Sequence, residues 1–156
     1  MAAIWDPATG VSQVSMTEQA ARALKIKVQV LEVRRREDLT DAFLAAKVEK
    51  AQAVNVFSSP FLSSIVQEIL VAAAESRLPA IYRWREHAEA GGLIFYGPSL
   101  ADLWRQAAII VAKVLKGARP ADLPVEQPTK FEMVVNTKNR RSESSFHLTS
   151  YCAAIW

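Results

Sequence analysis

A chain of 156 residues, 51% hydrophobic and 22% charged, has the balance of one folded domain with a real core rather than of a disordered segment. Its formal charge of +3 is small, and the basic runs Arg34-Arg35-Arg36 and Lys138, Arg140, Arg141 lack interleaved aromatics, so solvated surface is expected and no nucleic-acid partner. The lone Cys152 excludes an internal disulfide, and His87 and His147 lack ligand spacing, so neither a metal centre nor a bound cofactor is expected.

In chain order, Ala3-Ile4-Trp5 reads as a buried strand stopped by Asp6-Pro7. Thr17, Ala20, Ala21 and Leu24 recur at helical spacing, and a second strand runs from Val28 to Val33. Leu39, Ala42, Phe43 and Ala46 then mark an amphipathic helix. Ala53 to Phe57 is the third strand. Ser59-Pro60 predicts a capped helix over 60–76, whose wide apolar stripe of Leu62, Ile65, Val66, Ile69, Leu70 and Ala73 should pack on a sheet.

The stretch from Pro79 to Gly97 reads as two short strands around a polar loop that carries Arg83, Trp84, Arg85, Glu86 and His87 and ends in Gly91-Gly92. Ser99-Leu100-Ala101-Asp102 has the form of a capping box, opening a helix over 99–116 with Leu103, Ala107, Ile110, Val111 and Val114 inward and Gly117 as its stop. A proline-punctuated link leads to a last strand, Phe131 to Val135.

This alternation predicts an α/β fold: a Rossmann-like, open, mostly parallel sheet with helices on both faces. In such sheets ligands sit beyond the carboxyl ends of the strands. That rule selects Trp5-Asp6, Ser58-Ser59, Tyr82-Arg83-Trp84 and Tyr96-Gly97. No nucleophile elbow, glycine-rich phosphate loop or paired acids accompany them, so no catalytic residue is expected. No apolar run reaches the roughly 18 residues of a membrane span. The N-terminus lacks the regions of a secretory signal, so the chain as written is expected to stay in the cytoplasm.

The segments AARALKIKVQVLEVRRREDLTDAF, RLPAIYRWREHAEAGGLIFYGPSLADLWRQAA and VLKGARPADLPVEQPTKFEMVVN, with Ile4-Trp5-Asp6-Pro7, resemble the substrate-binding proteins of ABC transporters with periplasmic-binding-protein type I architecture. More narrowly, they are similar to the tryptophan- or tyrosine-uptake branch. The resemblance implies one lobe, the C-terminal half, of a two-lobed clamp over residues 1–137, with the 99–116 helix and adjoining strands belonging to a first lobe. Residues 138–156 depart from the family pattern. It also implies a non-enzymatic solute-binding component, a membrane permease as partner, and a periplasmic location. The open alternatives are a nucleotide-binding α/β enzyme or regulatory domain, and a non-functional truncated fragment, in which an exposed apolar face of the 99–116 helix would favour self-association.

Within that resemblance each strand end has a candidate role. Ser58 and Ser59 can offer hydroxyls beside helix amides to a solute carboxylate, although capping alone explains Ser59. Arg83 can pair with a carboxylate. Trp5, Tyr82 and Trp84 can form flat walls, although Trp5 and Tyr82 are also natural core residues. Glu86 can receive an amino group, and Tyr96 would lie on the hinge side.

Overall fold

A computed structural model describes residues 1–136; the tail expected over 138–156, with Lys138, Arg140 and Arg141, lies outside the described residues. Six strands form one sheet: β1 (Ala2–Trp5), β2 (Gln29–Glu32), β3 (Val54–Val56), β4 (Ala80–Tyr82), β5 (Ile94–Pro98) and β6 (Phe131–Val135). Their spatial order is β2-β1-β3-β4-β5-β6. The first five are parallel, while β6 runs antiparallel to β5. The predicted open, mostly parallel sheet is therefore present. Its order reverses at β1, from which the chain first steps out to β2 and later returns to β3 on the other side.

Alternation along the strands sends side chains to two covering layers. On one face Ile4, Val56 and Tyr82 pack with Leu39, Ala42, Phe43 and Ala46 of α2 (Asp38–Val48). The same layer takes Leu62 of α3 (Pro60–Ser64) and Ile69 and Ala73 of α4 (Val66–Ser76). On the other face Ala3, Trp5 and Phe57 meet Val14 of α1 (Ser12–Ala23) together with Val28 and Val30. The helix expected over 60–76 is split at Ile65, whose φ of −113° leaves the helical range while its side chain is fully buried. Packing, not propensity, sets that break.

Three further expectations change. The polar loop after β4 contains a short helix, α5 (Arg85–Glu89), which lies against β4, β5 and β6. It places His87 half-buried and edge-on to Tyr82, with ring centroids 5.8 Å apart. The capping box at Ser99 does not form. The Ser99 amide already donates to the Lys130 carbonyl at 3.0 Å, and the Asp102 carboxylate is held by Arg105 and Lys130. Finally, α6 (Leu100–Leu115) buries no residue at all, so the stripe expected to face inward stands largely in solvent. Gly117 does stop this helix, with φ at +99° and its amide bonded to the Val114 carbonyl.

The basic run after β2 is surface, with each arginine beside an acid. Arg34 meets Glu32 at 2.9 Å, Arg35 meets Asp38 at 3.3 Å, and Arg36 meets Glu68 at 2.6 Å.

Candidate functional site

All five parallel strands point their carboxyl ends to one edge, and the sequence-selected residues divide there into two places. The first lies between β1 and β3, where the strand order reverses and open α/β sheets form a crevice. The chain fills this crevice with its own bonds. Asp6 is buried; its Oδ1 accepts from the Ala8 amide at 2.9 Å and its Oδ2 from the Ser59 hydroxyl at 2.5 Å. Ser59, also buried, accepts in turn from the Leu62 amide at 3.1 Å, which is the predicted cap of α3. Gln13 clamps the Ser58 backbone twice, donating to its carbonyl at 3.0 Å and accepting from its amide at 3.1 Å. The Trp5 indole is buried and donates to the Gly10 carbonyl at 3.0 Å.

The second place lies two strand spacings away, roughly 10 Å along the edge. Here the ends of β4 and β5 and the starts of α5, α6 and β6 enclose an open cavity of about 210 Å³. Trp84 and Phe95 give it aromatic walls, and Arg85, Glu86 and Glu132 give it charge. Ser99, Leu100 and Ala101 close it at the first turn of α6. Ser99 is buried and its hydroxyl makes no capping bond to the helix. The Arg85 guanidinium donates to Glu89 at 2.9 Å and to Glu132 at 3.3 Å, and these carboxylates raise its pKa and hold it charged.

Of the residues selected from sequence, Trp84 and Glu86 share this cavity. Arg83 is exposed beside it without lining it, and Tyr82 is buried beneath α5. Tyr96 sits within β5 rather than at its end, because the strand continues to Pro98; it is half-buried and stacks on Phe131 at 5.9 Å. Sequence reasoning missed Arg85, Ser99 and Glu132. Ser99 was signalled by its place just after the Gly97-Pro98 strand end. Glu132 carried no local signal, since only the antiparallel pairing that sets it opposite Gly97 brings it to the rim.

Close approach of the chain to itself shapes this corner. A Cβ on Gly92 would lie 2.8 Å from the His87 carbonyl oxygen and 2.8 Å from two atoms of the Tyr82 ring. Burial of the half-covered His87 lowers its pKa, against a smaller opposing pull from Glu86. Among the described residues no group of three or more His, Cys, Asp or Glu could hold a metal ion, and no helix is long and apolar enough to cross a membrane.

Solved structures with the same chain path are about twice as long as this chain. A conserved domain protein from Vibrio cholerae O1 biovar El Tor superposes with a TM-score of 0.83 at 21% identity, over 98% of this chain and 52% of its own. An ABC domain from Streptococcus pneumoniae in complex with L-Trp gives 0.76 at 23% identity, over 90% and 48%. The ligand-free, open structure of a substrate-binding protein with adhesive properties from Clostridium difficile gives 0.69 at 16%, over 94% and 50%. The chain thus spans about half the length of the solved structures it matches. Among curated proteins nothing matches significantly. The sequence profile described as ABC transporter substrate binding protein, in contrast, matches residues 2–144, nearly the whole chain, and its fold is that of one lobe of such a protein. This chain belongs to the ABC transporter substrate-binding protein family.

Proposed function

We propose that the chain forms one half of a solute-binding component of an ABC import system, gripping a small organic solute such as an amino acid at the β4–β5 rim. The observation that carries this reading is the size and openness of the cavity. At about 210 Å³ it falls short of the roughly 300–1,000 Å³ of a self-sufficient small-molecule site. A half-site completed by a second lobe accounts for that shortfall, because clamp-like proteins divide their contacts between two lobes.

The lining has the chemistry for a zwitterion. Glu86 and Glu132 can receive an ammonium group, Arg85, Ser99 and the free amides at the start of α6 can receive a carboxylate, and Trp84 can lie against an apolar side chain. On this reading the chain works by binding and release, with no chemical step. Its partner is a membrane permease, and its place is the periplasm or an equivalent outer compartment. The helix over 99–116 belongs with the other lobe of the clamp; where that lobe is absent, its bare stripe favours self-association.

A thermal-shift and calorimetry panel of L-amino acids, organic acids and nucleotides tests it. Stabilisation should appear with one or more amino acids and fall at least tenfold in affinity in Trp84→Ala, since only binding to the folded state raises Tm. A response to nucleotides alone would favour an α/β nucleotide-binding domain. No response to any of them would mean that this half does not bind unaided.

A further inference from the structure

The amino edge of the sheet, opposite the rim cavity, gathers bases that have no acid beside them. In a parallel sheet each turn from a helix into the next strand lies at that edge. The turns before β2, β3 and β4 hold the only non-glycine residues at positive φ among the described residues: Lys25 at 56°, Lys50 at 54° and Arg77 at 52°. Glycine enters this left-handed region at no steric cost, so each side chain stands there against the preference of the backbone. All three are basic and exposed. The helix dipole does not require them, since α1 and α2 already carry Arg22 and Lys47 in their last turns.

The surface is continuous. Lys27 meets Glu49 at 3.3 Å, which ties the turn before β2 to the turn before β3. Gln29, Ala2, Val54 and Ala80 stand side by side at the starts of β2, β1, β3 and β4, so the turns before them end at one level. The row spans roughly 15 Å, three strand spacings. Most other bases have a carboxylate partner, from Arg34 after β2 to Arg119 after α6. The side chains of Lys25, Lys47, Lys50 and Arg77 have none among the described residues. Apolar groups break through between them: Leu24 is 49% exposed and Val48 71%.

We propose that this edge is a docking surface for a bilayer that carries acidic phospholipids. Lys25, Lys47, Lys50 and Arg77 meet the headgroup phosphates, and Leu24 and Val48 reach between the headgroups toward the acyl boundary. A level row of turns matches a plane better than the shaped cleft of a protein partner. Docking here leaves the carboxyl edge, with its cavity, turned away from the lipid. The inference goes beyond solute binding and does not depend on it.

Co-sedimentation of the full chain with vesicles tests this. Binding should be at least about tenfold stronger on phosphatidylcholine vesicles containing about 30% phosphatidylglycerol than on phosphatidylcholine alone, because each lysine at such a surface contributes about fivefold. It should weaken as salt rises from about 0.1 to about 0.5 M. Lys25→Gly with Lys50→Gly suits the backbone and removes two charges, so it should keep the fold and lower binding more than about tenfold. Lys113→Gln with Lys116→Gln removes the same charge at the end of α6, and Trp104→Asp removes an exposed aromatic of that helix. Both should leave binding within about twofold. No binding to the acidic vesicles, equal binding to both kinds, no loss in the glycine variant, or an equal loss in the Lys113 and Lys116 variant would each overturn the proposal. Binding to soluble poly-L-glutamate with none to vesicles would overturn it in favour of an acidic protein surface.

Discussion

The Ser59 hydroxyl donates to Asp6 Oδ2 at 2.5 Å while accepting from the Leu62 amide, so one buried serine joins the end of β1 to the end of β3 and starts α3. Two separate structural requirements meet on a single oxygen. Ser59→Ala removes the cap and leaves a buried carboxylate oxygen without its donor. The expected cost is about 2–3 kcal/mol, above the ~1 kcal/mol of an ordinary cap. Urea unfolding measures it, and a double-mutant cycle with Asp6→Ala should give strong coupling between the two positions. A loss below about 0.5 kcal/mol would mean that water replaces the network at little cost.

His87 supplies a pH dependence. Its folded-state pKa lies below the ordinary histidine value of about 6.5 because the ring is partly buried. Between the two values the unfolded chain binds a proton that the folded chain does not. Stability is therefore complete above about pH 6.5 and declines as the pH falls below it. His87→Phe should flatten the Tm profile between pH 7 and 5. Asp38, held low by the Arg34 and Arg35 amides and the Arg35 guanidinium, contributes a loss only below about pH 4, so the two windows separate. An unchanged slope in the His87 variant would remove the imidazole as its source.

Gly92 has a steric role. A methyl group there meets the His87 carbonyl and the buried Tyr82 ring, neither of which has room to retreat. Gly92→Ala should cost about 1–3 kcal/mol, as overpacking does. Gly97→Ala should cost at least as much, since its added carbon would press on the Arg83 backbone carbonyl. Thermal unfolding of both variants checks this, and either one at wild-type Tm would show that the β4–β5 corner can open.

The 2.6 Å contact between Arg36 and Glu68 should contribute little. Its side chains are 60% and 42% exposed, and exposed ion pairs return about 0–1 kcal/mol. Arg36→Ala is expected within that range by chemical denaturation, with the residual effect shrinking further in high salt. A loss above 2 kcal/mol would point to a structural role beyond charge.

Much of the architecture was legible because its signals are local. Ser59-Pro60 announces α3, Gly117 ends α6, and the apolar positions from Leu39 to Ala46 mark the buried face of α2. Other helix ends were silent. The turns after α1, α2 and α4 place Lys25, Lys50 and Arg77 at φ between 52° and 56°, where glycine would have been the recognisable residue. Ile65 breaks a helix because the core holds it, and α5 forms in a loop because the sheet lies beneath it. Neither cause is written in neighbouring residues.

The candidate site divides in the same way. Strand ends can be read from composition and the carboxyl-edge rule, and Trp84 and Glu86 follow from them. Whether a strand-end residue faces a cavity or satisfies its neighbours depends on distance across the sheet. Asp6 and Ser59 are 53 positions apart in the chain and meet in a buried bond, while Arg85 and Glu132, 47 apart, meet on an exposed rim. By itself the sequence determined that strands and helices alternate, which faces of most helices are apolar, and where the sheet's carboxyl edge lies, because those depend on periodicity and caps within a few residues. Only the tertiary structure decided which polar groups are already paired, that β6 completes the rim, and that the apolar face of α6 is left uncovered, because pairing and burial are properties of surfaces that meet only after the chain has folded.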